Sequence, residues 1–243
     1  MGSTAANLAP RERLIVALDV PSADDAMSIV GRLSGRVGAF KVGLQLFTAA
    51  GPDLVRRICG DGHRVFLDLK FHDIPNTVAM AAAEAAKCGV WMFNVHAAGG
   101  AEMMRRAAES AANVGAEPRP LVIAVTVLTS SDADVLAATG IADTVEDQVL
   151  RLARLAHASG MDGIVASARE AALIREHFPG REMIIVTPGI RLLNATFDDQ
   201  KRVTTFADAL RSGADHVVVG RPITRSDDMV LAVEELVREV EEI

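Results

Sequence analysis

Cysteine is scarce in this chain of 243 residues, with only Cys59 and Cys88. They stand in helix-like stretches and form no Cys-x-x-Cys pair or Cys/His spacing. That pattern reads as two small buried thiols rather than a metal or redox centre. Long apolar runs are missing too: none reaches the ~20 residues that span a bilayer. The opening MGSTAANLAPRER lacks the apolar core of a secretory signal, so a cytoplasmic protein is expected. Positive charge is in deficit, with 25 Lys and Arg against 32 Asp and Glu and a net charge of −7. That balance argues against broad binding to nucleic acid or to an anionic membrane. A locally positive pocket for a small anion stays compatible with it. No stretch is low-complexity or linker-like.

What is present is enough for one large core, since half of the residues are apolar and 23% are charged. Apolar, β-branched runs predict eight strands, at 13–19, 39–44, 64–70, 91–96, 120–128, 163–167, 182–189 and 216–223. Stretches of 3.6-residue period predict helices between them, at 22–34, 51–61, 76–88, 100–114, 143–159, 168–177 and 204–212. A last one follows from residue 227, with Met229, Val233, Leu236, Val237 and Val240 on one face. Eight βα units in this length predict an α/β fold of one domain, a (β/α)₈ TIM barrel, which typically needs about 250 residues. The barrel is expected over 11–243, after a flexible segment at 1–10.

In such a barrel chemistry sits where the strands end. The polar residues follow that rule: Asp19, Lys41, Asp68, Lys70, His96, Thr126, Thr129, Ser167, Pro188 to Arg191, and Gly220–Arg221 all fall late in a strand or just beyond it. Strand starts carry fewer polar groups. The stretch VFLDLKFHDIPNT (65–77) is the densest. Residues two apart on a strand share a face, so Asp68 and Lys70 point together into the barrel mouth, with Phe66 below. Leu67 and Leu69 turn to the helices. Lys41 on the neighbouring strand faces inward likewise, and contact among Lys41, Asp68 and Lys70 is expected. A structural ion pair would explain them, but clustered buried charge favours a functional site. Asp73 or Asn76 could cap the next helix. GADHVVVGRPIT places Gly220 and Arg221 at a short helix start, where backbone N–H groups and a guanidinium suit a phosphate. The loop TPGIRLLNATFDDQKR adds Arg191 and Gln200, with Lys201 and Arg202 read as solvated surface. His72, His96, Asn94 and Ser167 are read as structural.

At this point the sequence resembles the bacterial-type orotidine 5′-phosphate decarboxylases, from about Arg13 to the C-terminus. FLDLKFHDIPNTV is similar to that family's signature, a D-x-K-x-x-D core made by Asp68, Lys70 and Asp73. LIVALDV with Asp19, FKVGLQLF with Lys41, VTVLTS with Thr129, TPGIR with Pro188 and Arg191, and VVVGRPIT with Gly220 and Arg221 occur in the family's order. The resemblance implies conversion of orotidine 5′-phosphate to UMP and CO₂, the last step of de novo pyrimidine synthesis. It also implies a homodimer, no cofactor and no metal. Lys70 would be the proton donor within a Lys41–Asp68–Lys70–Asp73 network. Asp19 and Lys41 would hold ribose hydroxyls. Asp73 and Thr77 would reach into the partner's site. Thr129 would bond the pyrimidine edge, Pro188 would line the apolar side where CO₂ departs, and Arg191, Gln200, Gly220 and Arg221 would grip the phosphate.

Two rivals stand beside this reading. Sugar-phosphate decarboxylases and aldolases of the same barrel group, such as the 3-keto-gulonate-phosphate and hexulose-phosphate enzymes, share the D-x-K-x-x-D element. They use Mg²⁺ and an acidic residue where this chain has Lys41. A non-catalytic phosphate-binding barrel would bind nucleotide without releasing CO₂.

Overall fold

A computed structural model describes residues 8–180, 183–190 and 204–241. Eight parallel strands close into a barrel in sequence order, β1 pairing with β8. They are β1 (Leu14–Ala17), β2 (Ala39–Gly43), β3 (Val65–Phe71), β4 (Met92–His96), β5 (Leu121–Val125), β6 (Gly163–Val165), β7 (Ile184–Thr187) and β8 (His216–Val219). The helices are α1 (Pro10–Arg13), α2 (Ala23–Leu33), α3 (Leu44–Gly60), α4 (Pro75–Lys87), α5 (Ala101–Asn113), α6 (Ala133–Ala138), α7 (Val145–Ala158), α8 (Ala168–His177), α9 (Phe206–Arg211), α10 (Arg221–Thr224) and α11 (Met229–Glu241).

Alternation along the strands divides the apolar residues into two bodies. Ile15, Ala17, Ala39, Phe66, Met92, Ile123, Val186 and Val218 fill the barrel interior. Leu14, Val16, Phe40, Val42, Leu67, Phe93 and Val95 point outward into the larger layer shared with the helices. The interior is therefore plugged through its middle by apolar side chains, and inward-facing polar side chains stand at its two ends. No helix among the described residues is long and apolar enough to cross a membrane.

Several elements differ from their expected bounds. α3 begins at Leu44, and the expected start at residue 51 marks a kink instead. Gly51 takes φ 68° there, ahead of Pro52, a conformation that glycine reaches without steric cost. β5 stops at Val125 and β8 at Val219. The GRPI segment expected to continue β8 turns into α10, because Pro222 cannot donate to a sheet ladder and suits a first helical turn. Helix α6 carries no apolar stripe and buries only Leu136, but the Asp132 side chain caps it by accepting from the Val135 N–H.

The strand starts also hold more polar groups than expected. Asp215 pairs with Arg175 and accepts from the Ile185 N–H at 2.8 Å. Arg13 donates to the carbonyls of Asp215 and Ala214 at 3.0 and 2.5 Å, and Arg119 chelates Asp162 at 2.6 and 2.8 Å. These pairs tie the ends of neighbouring strands and close the bottom of the barrel.

Candidate active site

Lys41, Asp68 and Lys70 converge at the C-terminal mouth, as the strand alternation implies. Lys41 faces inward from β2, between outward-facing Phe40 and Val42. Its Nζ lies 3.2 Å from Asp19 Oδ1 and 3.5 Å from Asp68 Oδ2. Lys70 Nζ donates to Asp68 Oδ1 at 2.6 Å. The charges thus run Asp19, Lys41, Asp68, Lys70, with signs alternating, which limits the cost of holding them in a partly buried place. Gly43 leaves room for this arrangement: a β-carbon there would stand 2.9 Å from Lys41 Nζ.

The backbone beneath Lys70 is irregular. β3 and β4 pair at Leu67 with Phe93 and next at Phe71 with Val95. The four steps from Leu67 to Phe71 therefore face two steps on β4, and the excess is a bulge. Lys70 takes φ 52° within it, and it is the only non-glycine residue with positive φ among the described residues. For a side chain with a β-carbon that region is disfavoured and calls for a compensating interaction. Asn94, 0% exposed on β4, supplies one: its Oδ1 accepts from the Lys70 N–H at 2.8 Å, and its Nδ2 donates to Asp68 Oδ1 at 2.7 Å. Read from sequence as merely structural, Asn94 in fact touches both central charged residues. Its inward register on β4, opposite the charged end of β3, was the available clue.

Burial pushes the Asp68 carboxyl toward its neutral form. The two neighbouring ammoniums, with the hydrogen bonds from Lys70 and Asn94, outweigh burial and hold its pKa below the ordinary carboxylate range. Asp68 is therefore a fixed anion between two cations. The His72 and His96 rings lie 5.4 Å apart close by, tilted at 38° to each other. Burial first, then His72 and Lys70, lowers the His96 pKa. Among the described residues no three His, Cys, Asp or Glu side chains group to hold a metal ion.

A cavity of about 180 Å³ opens over this array. Lys41, Asp68 and Lys70 form its charged wall, and Thr129 and Pro188 lie on its rim. Its floor and far side are apolar, from Phe66, Val125, Val127, Val165, Val186 and Val218. Thr126 does not face it, because its hydroxyl is spent on the Val165 carbonyl at 3.0 Å. Ser167 instead caps α8. Gly220 lies beside Asp19 at the top of β8: a β-carbon there would come 3.5 Å from Asp19 Oδ2. Arg221 is exposed at the start of α10.

Asp73 is not part of the ion-pair chain. It is exposed, and its Oδ1 accepts from the Ile74 N–H at 2.6 Å. Neither it nor Asn76 caps α4: Ile74 occupies the cap position and Pro75 opens the helix. Asp73 and Thr77 line a second cleft of about 300 Å³ with Lys70 and His72, outside the barrel mouth. Arg191 and Gln200 lie outside the described residues, as do Lys201 and Arg202.

Residues 12–236 match the family described as orotidine 5′-phosphate decarboxylase / HUMPS. An orotidine 5′-phosphate decarboxylase of Pelobacter propionicus is 51% identical over 230 residues, 95% of each chain. One of Halorhodospira halophila is 52% identical, covering 94% of this chain and 95% of that one. The crystal structure of orotidine 5′-phosphate decarboxylase from Lactobacillus acidophilus superposes with a TM-score of 0.83 at 36% identity, covering 93% of this chain and 98% of that chain.

Proposed function

Because the chain belongs to the orotidine 5′-phosphate decarboxylase / HUMPS family, we propose that it converts orotidine 5′-phosphate to UMP and CO₂, completing pyrimidine nucleotide synthesis. The observation that carries the mechanism is the 2.6 Å contact between Lys70 Nζ and Asp68 in a cavity whose other walls are largely apolar.

Breaking the bond from C6 to the carboxylate leaves an electron pair in the plane of the pyrimidine, where the ring π system delocalises it poorly. Fixed electrostatics must then stabilise it. The Lys70 ammonium faces the cavity and meets the developing charge at C6. As CO₂ leaves, an N–H bond of Lys70 breaks and a C6–H bond forms, so the products are UMP, CO₂ and a neutral lysine that regains its proton from water. Asp68 fixes the ammonium, and Lys41 balances Asp68 from the other side. The apolar wall from Val125 to Val218, with Pro188, suits the departing CO₂.

Asp19 and Lys41 bind ribose hydroxyls, and Thr129 bonds the pyrimidine edge. Arg221 and Gly220, joined by Arg191 and Gln200, hold the phosphate. That group is remote from C6, so its binding energy serves to align the reacting carbon. The assembly is a homodimer in which Asp73 and Thr77 complete the partner's site. Exposed Ile74 (67%) and Met80 (57%) flank these residues at the start of α4, as a covered face requires.

Lys41 distinguishes this reading from that of the Mg²⁺-dependent sugar-phosphate enzymes: an ammonium at that position repels a divalent cation. The test is to add orotidine 5′-phosphate to the purified protein in a strong chelator and follow loss of its ultraviolet absorbance and CO₂ release. Undiminished turnover supports the proposal. Turnover that vanishes and returns with Mg²⁺ supports the rival. Nucleotide binding without CO₂ release supports a non-catalytic barrel.

A further inference from the structure

We propose that Asn94 is a positioning residue for the proton transfer, its carboxamide clamping the left-handed backbone of Lys70 and the carboxylate that holds the Lys70 ammonium. This rests on the reading of Lys70 as the proton donor.

The carboxamide uses both of its ends on one target. Its oxygen takes the Lys70 backbone N–H at 2.8 Å, and its nitrogen donates at 2.7 Å to Asp68 Oδ1. That same carboxylate oxygen accepts from Lys70 Nζ at 2.6 Å. The lysine is thereby held at its root and, through Asp68, at its tip. The amide orientation follows from its partners, since an N–H can only donate and an ionised carboxylate can only accept. Asn94 sits on the regular strand β4 at 0% exposure, opposite Ile123 of β5. It is a fixed post against which the irregular end of β3 is set.

Among the described residues the side-chain acceptor for the Lys70 N–H is Asn94 Oδ1, and Asn94 does not line the cavity over Lys41, Asp68 and Lys70. Its effect on the reaction therefore passes through Lys70 and Asp68. An aliphatic residue at position 94 would fill the volume but leave the N–H buried and unpaired. The bulge would then relax toward ordinary strand geometry, carrying the ammonium away from C6. A displacement on the order of 1 Å at a reacting group costs about 100-fold in rate.

The experiment compares the parent with Asn94→Leu, which removes both hydrogen bonds while keeping the same branching of heavy atoms, and with Lys70→Ala. Turnover of orotidine 5′-phosphate gives kcat and KM. Calorimetry gives the UMP dissociation constant. Exchange of the UMP C6 proton in D₂O reads the same proton transfer in reverse. The inference expects kcat and exchange to fall together by about 100-fold, with UMP affinity within about threefold of the parent. An unchanged kcat, or a raised KM at parent kcat, overturns it. Near-normal turnover by Lys70→Ala would overturn the underlying reading of the lysine, a separate result from a normal Asn94→Leu beside a dead Lys70→Ala. Should Asn94→Leu not fold, Asn94→Ala is read by the same criteria. The parent supplies a measurement that needs no variant: the Lys70 amide hydrogen must be protected from solvent exchange, and rapid exchange overturns the clamp.

Discussion

The Asp68 carboxylate accepts a 2.6 Å hydrogen bond from the Lys70 ammonium two residues along the same strand. The two side chains share a face of β3, and they meet on a backbone shaped by the bulge between Leu67 and Phe71 and by the positive φ of Lys70.

Asp68→Asn removes the only charge between two ammoniums. With Lys41 and Lys70 no longer separated by an anion, the variant should lose roughly 100- to 1,000-fold in turnover. Leaving the cations without their buried partner should also lower stability by about 1–3 kcal/mol. Steady-state kinetics and urea unfolding on one preparation check both. Parent-like turnover would mean the pair is structural.

Arg221→Ala should raise KM for orotidine 5′-phosphate by roughly 10- to 100-fold, the worth of one hydrogen bond between charged groups. Turnover of the unphosphorylated nucleoside should hardly change. Equal losses on both substrates would remove the phosphate from this end of β8.

Mixing Lys70→Ala chains with Asp73→Asn chains tests the shared site. Each variant alone should be nearly inactive, whereas a heterodimer regains one intact site. After full exchange at equal concentrations, about one quarter of the parent's activity should return. No recovery once subunit exchange is demonstrated would place Asp73 in its own chain's site, and an active Asp73→Asn variant would place it in none.

At the opposite end of the barrel, His216 is 3% exposed, its Nδ1 lacks a hydrogen-bond partner, and its ring stands 5.0 Å from Trp91. Burial pushes its pKa down to about 4; Asp215 opposes the shift, and Arg13 and Arg64 add to it. Above pH 6.5 the ring is neutral whether folded or unfolded, and the group is silent. Between pH 6.5 and 4 the unfolded chain takes up a proton that the native one refuses, so stability falls as pH falls, by on the order of 3 kcal/mol over that window. Urea unfolding at pH 7.5, 5.5 and 4.5 should show the decline, and His216→Leu should flatten it. An equal decline in that variant would assign it to other groups.

Much of this was legible because the sequence periods map directly onto layers. Lys41 between Phe40 and Val42, and Asp68 two residues above Phe66, had to face inward once the barrel was inferred. What escaped depends on contacts between distant segments or on departures from regular geometry. Asn94 reads like any buried polar residue until the neighbouring strand supplies its partners. The bulge at Lys70 has no glycine to announce it. Helix α6 lacks an apolar stripe and declares itself only through the Asp132 cap. The pairs at the barrel floor, such as Arg175 with Asp215, join residues far apart in the chain.

The account turns on the Lys70 ammonium, and Lys70→Ala tested for turnover of orotidine 5′-phosphate is its most direct measurement. With folding checked by circular dichroism and UMP binding retained, the expected result is a fall of at least about 10,000-fold, combining the loss of a general acid with the loss of a charge at C6. A folded Lys70→Ala protein that turns over within tenfold of the parent would contradict it.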